Sequence, residues 1–276
     1  MKKLPLVSVV IPTRNSGEFL GNCLESIKKQ TYKNVEIIVV DNNSTDKTKE
    51  IAVKYTKLVF NKGPERSAQR NFGASNSKGD YLLFIDSDME LSKKVVEECV
   101  NNVQKSGGII IPERSMGEGF WAECKALERS FYMGVDWIEA ARFFPKEVFF
   151  KFKGYDETQT GTEDSDFPQR IKERFGENSI VRINSFIYHH EGRLSLFDTL
   201  KKRFYYAKTS NIYTTRKSNE EYYKRQSSIL ERYKLYFSDP KKLFKNPFLG
   251  LGVLFMKAAE FGVWGVGYSL SKFLGR

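Results

Sequence analysis

The sequence predicts an α/β fold, with a mostly parallel central sheet flanked by helices and a helical, hydrophobic C-terminal extension. Three observations predict it. Short apolar runs rich in β-branched residues alternate, over residues 5–110, with segments whose apolar residues recur at helical spacing. Several of these runs end abruptly in acidic or small polar residues, as strand ends meeting water do. The last stretch, 247–274, is the most hydrophobic of the chain and follows basic, aromatic segments.

Leu6 to Ile11 reads as the first strand, closed by Pro12-Thr13-Arg14-Asn15. Phe19, Leu20, Cys23, Leu24 and Ile27 then repeat at helical spacing. Val35 to Val40 is a second buried strand, and the Asp41–Asp46 loop supplies caps for a helix reaching about Tyr55. A short strand at Leu58–Phe60, the Gly63-Pro64 turn and a small-residue helix over Arg66–Ser77 follow. Tyr81 to Ile85 is the most telling run, because five apolar residues lead directly into Asp86-Ser87-Asp88. Alternating strands and helices imply a parallel, Rossmann-like sheet with both faces covered.

Ser92 to about Lys105 reads as a helix and Gly108–Ile111 as a strand. A helix carrying Trp121, Leu127 and Phe131 leads to a strand near Trp137-Ile138, then through Arg142-Phe143-Phe144-Pro145 to a loop. Gly161-Thr162-Glu163-Asp164-Ser165-Asp166 opens a helix that ends at Gly176. Ser179 to Tyr188 is expected as one last strand, delivering His189 and His190 to a loop. Helix signals dominate after Leu196. The expected division is one domain over 1–195, with a first half over 1–110 and a second over 111–195, followed by basic helices and an apolar tail over 196–276.

With 276 residues the chain buries a substantial core. Cys23, Cys99 and Cys124 are odd in number and widely spaced, which suits neither a disulfide framework nor a zinc site, so they read as reduced core thiols. Pro12, Arg14 and Asn15 interrupt the N-terminus before a signal-peptide apolar region forms, and a cytoplasmic globular part is expected. The net charge of +11 is concentrated: between Arg193 and Asn246 there are fourteen basic residues against five acids. Such charge beside aromatic residues suits an anionic membrane surface or nucleic acid, and no nucleic-acid recognition motif accompanies it.

The chemistry-bearing positions are acids at strand ends and at a helix start: Asp41, Asp86 with Asp88, and Glu163, Asp164 and Asp166. The loop after the first strand lacks the G-x-G-x-x-G of a dehydrogenase, and there is no Walker loop. A diphosphate here is better neutralised by a divalent metal held on carboxylates, which fits a nucleotide-activated substrate whose leaving group needs charge stabilisation.

Five segments occur in a specific order: Val-Ser-Val-Val-Ile-Pro-Thr-Arg-Asn, Glu-Ile-Ile-Val-Val-Asp-Asn-Asn-Ser-Thr-Asp, Ala-Gln-Arg-Asn-Phe-Gly-Ala, Asp-Ser-Asp and Thr-Glu-Asp-Ser-Asp. In these the chain resembles a family 2 glycosyltransferase of the inverting, GT-A type, over roughly residues 5–195, which implies a catalytic domain over 1–195 with a nucleotide-binding half (1–110) and an acceptor half (111–195). The resemblance implies that Pro12, Thr13, Arg14 and Asn15 line a nucleotide pocket and that Asp41 bonds the base. It implies that Arg70 and Asn71 face the nucleotide or its diphosphate, that Asp86 meets the ribose or a metal, and that Asp88 binds Mn²⁺ or Mg²⁺ directly. Asp164 matches the family's general base, with Glu163 beside it, while Asp166 and Trp137 are assigned to acceptor or sugar. His189, followed by Glu191 and Gly192, matches a late metal-binding histidine, which favours Mn²⁺; His190 stays open as the alternative.

The donor implied is a UDP- or GDP-sugar. The basic, apolar tail suggests a lipid-linked acceptor and a peripheral or monotopic seat on the cytoplasmic face of the cell membrane. A soluble glycan acceptor and a lapsed, membrane-bound nucleotide- or sugar-binding protein are the alternatives. Lys257 and Glu260 split residues 247–274 into two arms, each too short to span a bilayer, so a bilayer-seated hairpin or an interfacial pair is expected before a transmembrane helix. Docking onto the globular part is the soluble alternative.

Overall fold

The computed structural model describes residues 4–103, 106–159, 161–214 and 220–273. In chain order the first elements are β1 (Val7–Thr13), α1 (Leu20–Lys28), β2 (Val35–Asp41), α2 (Thr48–Val53), β3 (Val59–Asn61) and α3 (Arg66–Ser75). Then come β4 (Tyr81–Phe84), β5 (Met89–Leu91), α4 (Val95–Asn102), β6 (Gly108–Ile110), β7 (Glu113–Glu118) and α5 (Phe120–Ser130). β8 (Ala141–Pro145), α6 (Lys146–Lys151), α7 (Glu163–Phe175), β9 (Ile180–Arg182) and β10 (Ile187–Arg193) follow. The C-terminal helices are α8 (Leu196–Thr214), α9 (Glu220–Ser227), α10 (Ile229–Phe237), α11 (Pro240–Leu243) and α12 (Pro247–Phe273).

The chain divides into two units interleaved in sequence. The first comprises Met1–Pro112, Ala140–Glu157 and Glu163–His189; the second comprises Glu113–Glu139, Thr158–Thr162 and His190–Arg276.

The first unit is built on a seven-stranded sheet of order β3-β2-β1-β4-β8-β6-β9. Strands β3, β2, β1 and β4 run parallel, as expected, but β8 lies antiparallel to both β4 and β6. The apolar runs look continuous in sequence because both faces are buried. Val9, Ile11, Val39 and Leu83 enter one core with α1 and α4, whereas Val10, Val40, Leu82 and Phe84 enter another with Phe144, Phe149 and Phe167. On α3, Gly73 permits a close helix-to-sheet approach, since a Cβ there would lie 2.4 Å from Val10 Cγ1. Cys23, Cys99 and Cys124 are buried free thiols, as their spacing implied.

Two strand expectations change. The expected single strand Ser179–Tyr188 is two strands, β9 and β10, separated by a bend. Glu98 of α4 holds that bend, accepting bonds from the Asn184 and Ser185 amides at 3.0 and 2.9 Å and from the Ser185 hydroxyl at 2.6 Å. His189 and His190 accordingly lie inside β10 and not in a loop after it.

In the second unit, Trp137-Ile138 is no strand. Turn bonds from the Val135 amide to Tyr132 O and from the Ile138 and Glu139 amides to Val135 O consume that backbone locally. The extended segment is β8 of the first unit, Ala141–Pro145. The second unit contains α5, α8 to α12, and a core of Cys124, Phe131, Tyr236, Leu243, Val253 and Met256. α12 is one continuous helix of 27 residues where a hairpin or an interfacial pair was expected. Lys257 and Glu260 stand three apart, so they share a face and bond each other at 2.6 Å instead of breaking the helix.

Candidate active site

The sheet order reverses between β1 and β4, and the C-terminal ends of β1, β2 and β4 converge at that edge. In open α/β sheets this is where ligands bind. Three of the motifs singled out in sequence are therefore neighbours.

The loops after β1 and β2 are stitched together. Thr13 Oγ1 donates to Asp41 Oδ1 at 3.1 Å, the Asn15 amide donates to Ser44 Oγ at 2.8 Å, and the Thr45 amide donates to Asn15 Oδ1 at 2.9 Å. Asn15 takes a left-handed φ of 49°, which asparagine tolerates better than most residues. Pro12, Thr13 and Asp41 are buried, whereas Arg14 and Asn15 are exposed. Asp41 also accepts from the Ser44 amide and hydroxyl and lies 3.4 Å from Lys49 Nζ. Gln69, which sequence reasoning passed over, locks both strand ends by donating to Thr13 O at 3.0 Å and Val40 O at 2.6 Å.

Arg70 occupies the centre with no exposed surface. Its Nη2 bonds Asp86 Oδ1 at 2.7 Å and its Nη1 bonds Asp164 Oδ1 at 2.7 Å, with Glu163 Oε1 at 3.5 Å from Nη1. The guanidinium lies 5.4 Å above the Tyr155 ring, and its buried Nε has no hydrogen-bond partner. Burial disfavours the cation, yet Asp164 and Asp86 outweigh it and hold the Arg70 pKa well above its ordinary value. The same contest, with Arg70, Arg142 and Arg66 opposing burial, holds the Asp86 carboxyl far below the usual carboxylate range. Glu163 is pushed the other way, raised by burial and by the adjacent Asp164 charge although Arg66 and Arg70 are each 3.5 Å distant.

Arg142 is the site residue the sequence hid. It is 5% exposed and its Nη1 lies 3.6 Å from Asp86 Oδ2. Its place follows from the reversed strand: an antiparallel β8 delivers its beginning, not its end, to the edge where β4 delivers Asp86. An arginine preceding two phenylalanines was its only signal.

Asp88 and His189 form a second pair. Pairing of His189 with Met89 across β10 and β5 brings His189 Nε2 to 3.5 Å from Asp88 Oδ2, while the buried Asp88 Oδ1 has no hydrogen-bond partner. A buried carboxylate oxygen without a donor, beside an imidazole, is a donor set that fits a divalent cation. Among the described residues no three His, Cys, Asp or Glu side chains cluster as a metal site, and both Asp86 oxygens face arginines.

Three expected residues have other partners. Asn71 bonds the Tyr155 carbonyl at 2.8 Å, the Tyr155 amide at 2.9 Å and Glu157 at 3.0 Å, bracing the loop at Gly154. Asp166 has no exposed surface and pairs with Arg170 at 2.9 Å. Trp137 belongs to the second unit, where the Arg225 and Arg232 guanidiniums lie 5.4 and 4.9 Å from its ring.

Comparison with known proteins agrees with this architecture. The chain is 35% identical over 113 residues to the glycosyltransferase GlyG of Streptococcus pneumoniae, covering 38% of each chain. It matches the glycosyltransferase AglE of Haloferax volcanii at the same identity over 38% of this chain and 37% of that one, so it spans less than two-fifths of these relatives' length. Among solved structures it resembles the mannosyltransferase PcManGT of Pyrobaculum calidifontis, determined with GDP-Man and Mn²⁺, with a TM-score of 0.64 at 14% identity over 97% of this chain and 88% of that one. It also resembles the glucosyl-3-phosphoglycerate synthase of Mycobacterium tuberculosis, determined with Mn²⁺, UDP and glucosyl-3-phosphoglycerate, with a TM-score of 0.53 at 20% identity over 74% and 78% of the two chains. These likenesses establish a GT-A fold. The family model for glycosyl transferase family 2 matches residues 8–204, which contain every acid and arginine of the strand-edge cluster, and the chain belongs to that family.

Proposed function

We propose that the protein is a metal-dependent, inverting glycosyltransferase that moves a sugar from a UDP- or GDP-sugar to a hydroxyl or phosphate of a lipid-linked acceptor at a membrane surface. The observation that carries the transfer is the Arg70 bridge, which holds Asp164 and Asp86 on the two nitrogens of one buried guanidinium. A base is thereby fixed beside the strand edge that receives a nucleotide.

The nucleoside lies on Pro12, Thr13, Arg14, Asn15 and Asp41, whose loops are already tied together. Arg142 and Arg70 supply buried positive charge where the diphosphate leaves. Asp88 and His189 hold a Mn²⁺ or Mg²⁺ ion, in keeping with the orphaned Asp88 oxygen and with the Mn²⁺ in the two structural relatives. When bound, that ion neutralises charge on the departing diphosphate.

Asp164 takes the proton of the acceptor as its oxygen attacks the anomeric carbon. The bond from that carbon to the diphosphate oxygen breaks on the opposite face, so configuration inverts. Asp164 is 28% exposed, open to an acceptor, while Arg70 behind it has no solvent access. Arg70 thus orients the base and does not meet the sugar.

The test is transfer from a panel of labelled nucleotide sugars with Mn²⁺ and a membrane lipid extract, comparing the native chain with Asp164→Asn. Organic-phase label abolished by the substitution supports the reading. Aqueous product moves the acceptor to a soluble glycan, and no turnover with any donor overturns the enzyme reading.

A further inference from the structure

α12 is long and apolar enough to cross a membrane, judged by length and composition. At 1.5 Å per residue its 27 residues extend about 40 Å. Its side chains nevertheless divide into two faces of different fate.

The inner face is buried and charged. Val253 and Met256 have no exposed surface, and Lys257 and Glu260 are 4% and 3% exposed. Lys257 pairs with Glu128 of α5 and with Glu260, and Lys125 of α5 reaches Glu128 at 2.9 Å and Glu260 at 3.2 Å. Arg203 of α8 adds a bond to Glu260 at 3.2 Å, and the Tyr132 hydroxyl bonds Glu128. The middle of α12 is therefore fastened by ion pairs to two neighbouring helices.

The outer face is apolar and bare. Phe248, Leu251, Phe255 and Val266 are 79%, 60%, 59% and 58% exposed. At 100° per residue these four fall within an arc of about 60°, on the side away from Lys257 and Glu260. Small residues extend the patch sideways: a Cβ on Gly252 would touch the Phe120 ring at 2.6 Å, and one on Gly250 would touch the Phe244 ring at 2.9 Å. Phe120 and Phe244 are themselves partly exposed. Exposed Lys241 and Lys245 lead into the same end of the helix.

We propose that α12 lies in the plane of an anionic lipid bilayer, with Phe248, Leu251, Phe255 and Val266 inserted among the acyl chains and Lys257 and Glu260 turned inward, and that it does not cross. The proposal rests on the membrane-surface part of the reading above and is independent of the sugar chemistry. A spanning helix would have to strip Lys257 and Glu260 from their partners or carry Lys125, Glu128 and Arg203 into hydrocarbon, which buried charges oppose. An in-plane helix needs neither, because an apolar stripe with basic residues at its rim is what interfacial seating requires. Charge complementarity selects the occupant. A second copy would bring Lys241 and Lys245 against the same residues on a chain of formal net charge +11, whereas anionic headgroups neutralise them.

The test uses the full chain and sealed vesicles of phosphatidylcholine with or without phosphatidylglycerol. Expected are co-sedimentation only with the anionic vesicles, weakening with salt, and at least a tenfold loss of partitioning in the triple variant Phe248→Ser, Leu251→Ser, Phe255→Ser with its helical circular dichroism retained. Topology is read from an NBD label on Lys245→Cys or on Leu270→Cys, towards the two ends of the helix, the buried native thiols remaining unlabelled. Impermeant dithionite added outside should bleach both positions, whereas protection of one of them means that the helix crosses and overturns the proposal. Equal binding of native and triple-variant chains also overturns it, as does a native dimer in light scattering that the triple variant dissolves without any vesicle binding. Donor turnover in lipid-free buffer is measured alongside: turnover without vesicle binding sinks this proposal alone, and vesicle binding without turnover sinks the transfer alone.

Discussion

Arg70 and Asp164, 94 positions apart in sequence, face each other at 2.7 Å, with the arginine sealed from solvent and the aspartate partly open. The second Arg70 nitrogen holds Asp86 at the same distance. One cation thus fixes the relation between the proposed base and the acid at the end of β4, and its loss has two separable consequences.

The first is stability. Arg70→Met leaves Asp86, Glu163 and Asp164 around an apolar chain, and breaking a buried charge cluster from one side costs about 3–5 kcal/mol. Urea unfolding followed by circular dichroism should register that loss. Arg70→Lys should cost less but cannot fork between two carboxylates, so kcat should fall at least about tenfold with the donor KM nearly unchanged.

Asp164→Asn keeps the shape and removes the proposed proton acceptor. General-base loss is worth about 10²–10⁴ in rate, and donor binding measured by calorimetry should remain within about twofold. A variant that loses donor affinity in step with turnover would place Asp164 in donor binding instead.

The Asp88–His189 pair gives a metal prediction. EDTA should abolish transfer and Mn²⁺ restore it, while Asp88→Asn should raise the Mn²⁺ concentration for half-maximal nucleotide binding at least about tenfold. His189→Ala should do the same and His190→Ala should not, because alternation along β10 turns the two side chains to opposite faces.

Glu163 supplies a pH prediction of unusual sign. Burial, then the Asp164 charge, raises its carboxyl above the ordinary 4.5. As pH climbs from 4.5 through that raised value, the folded chain keeps a proton that the unfolded chain has lost, so this group's contribution to stability falls with rising pH. Glu163→Gln removes the titration. The difference in unfolding free energy between variant and native chain should therefore shift in the variant's favour across that window in denaturant titrations.

Gly73 offers a packing prediction. With Val10 Cγ1 at 2.4 Å from a Cβ placed there, Gly73→Val must push α3 off β1. Overpacking of this kind costs about 1–3 kcal/mol, and displacing α3 carries Arg70 with it, so activity should fall together with stability.

The strand-and-helix order of residues 5–110 was legible because β1, β2 and β4 are buried over most of their length and written as mostly apolar runs. The acids mattered because parallel strands deliver their ends to one edge. Local pattern also exposed the amphipathic promise of the tail, but not its form, since Lys257 and Glu260 look like an interruption until their partners on α5 and α8 are seen. Arg142 stayed hidden for a topological reason: only the antiparallel pairing of β8 with β4 carries the start of that strand to the site. Asn71 and Asp166 carry the motif letters but bond the 152–157 loop and Arg170, a choice set by tertiary neighbours. Sequence by itself determined which residue types stand at which strand ends, because those are local properties of the chain. The reach of Arg70 across 94 positions to Asp164, and the division of α12 into a charged inner face and a bare outer one, depend on which distant segments pack together, and only the tertiary structure decided them.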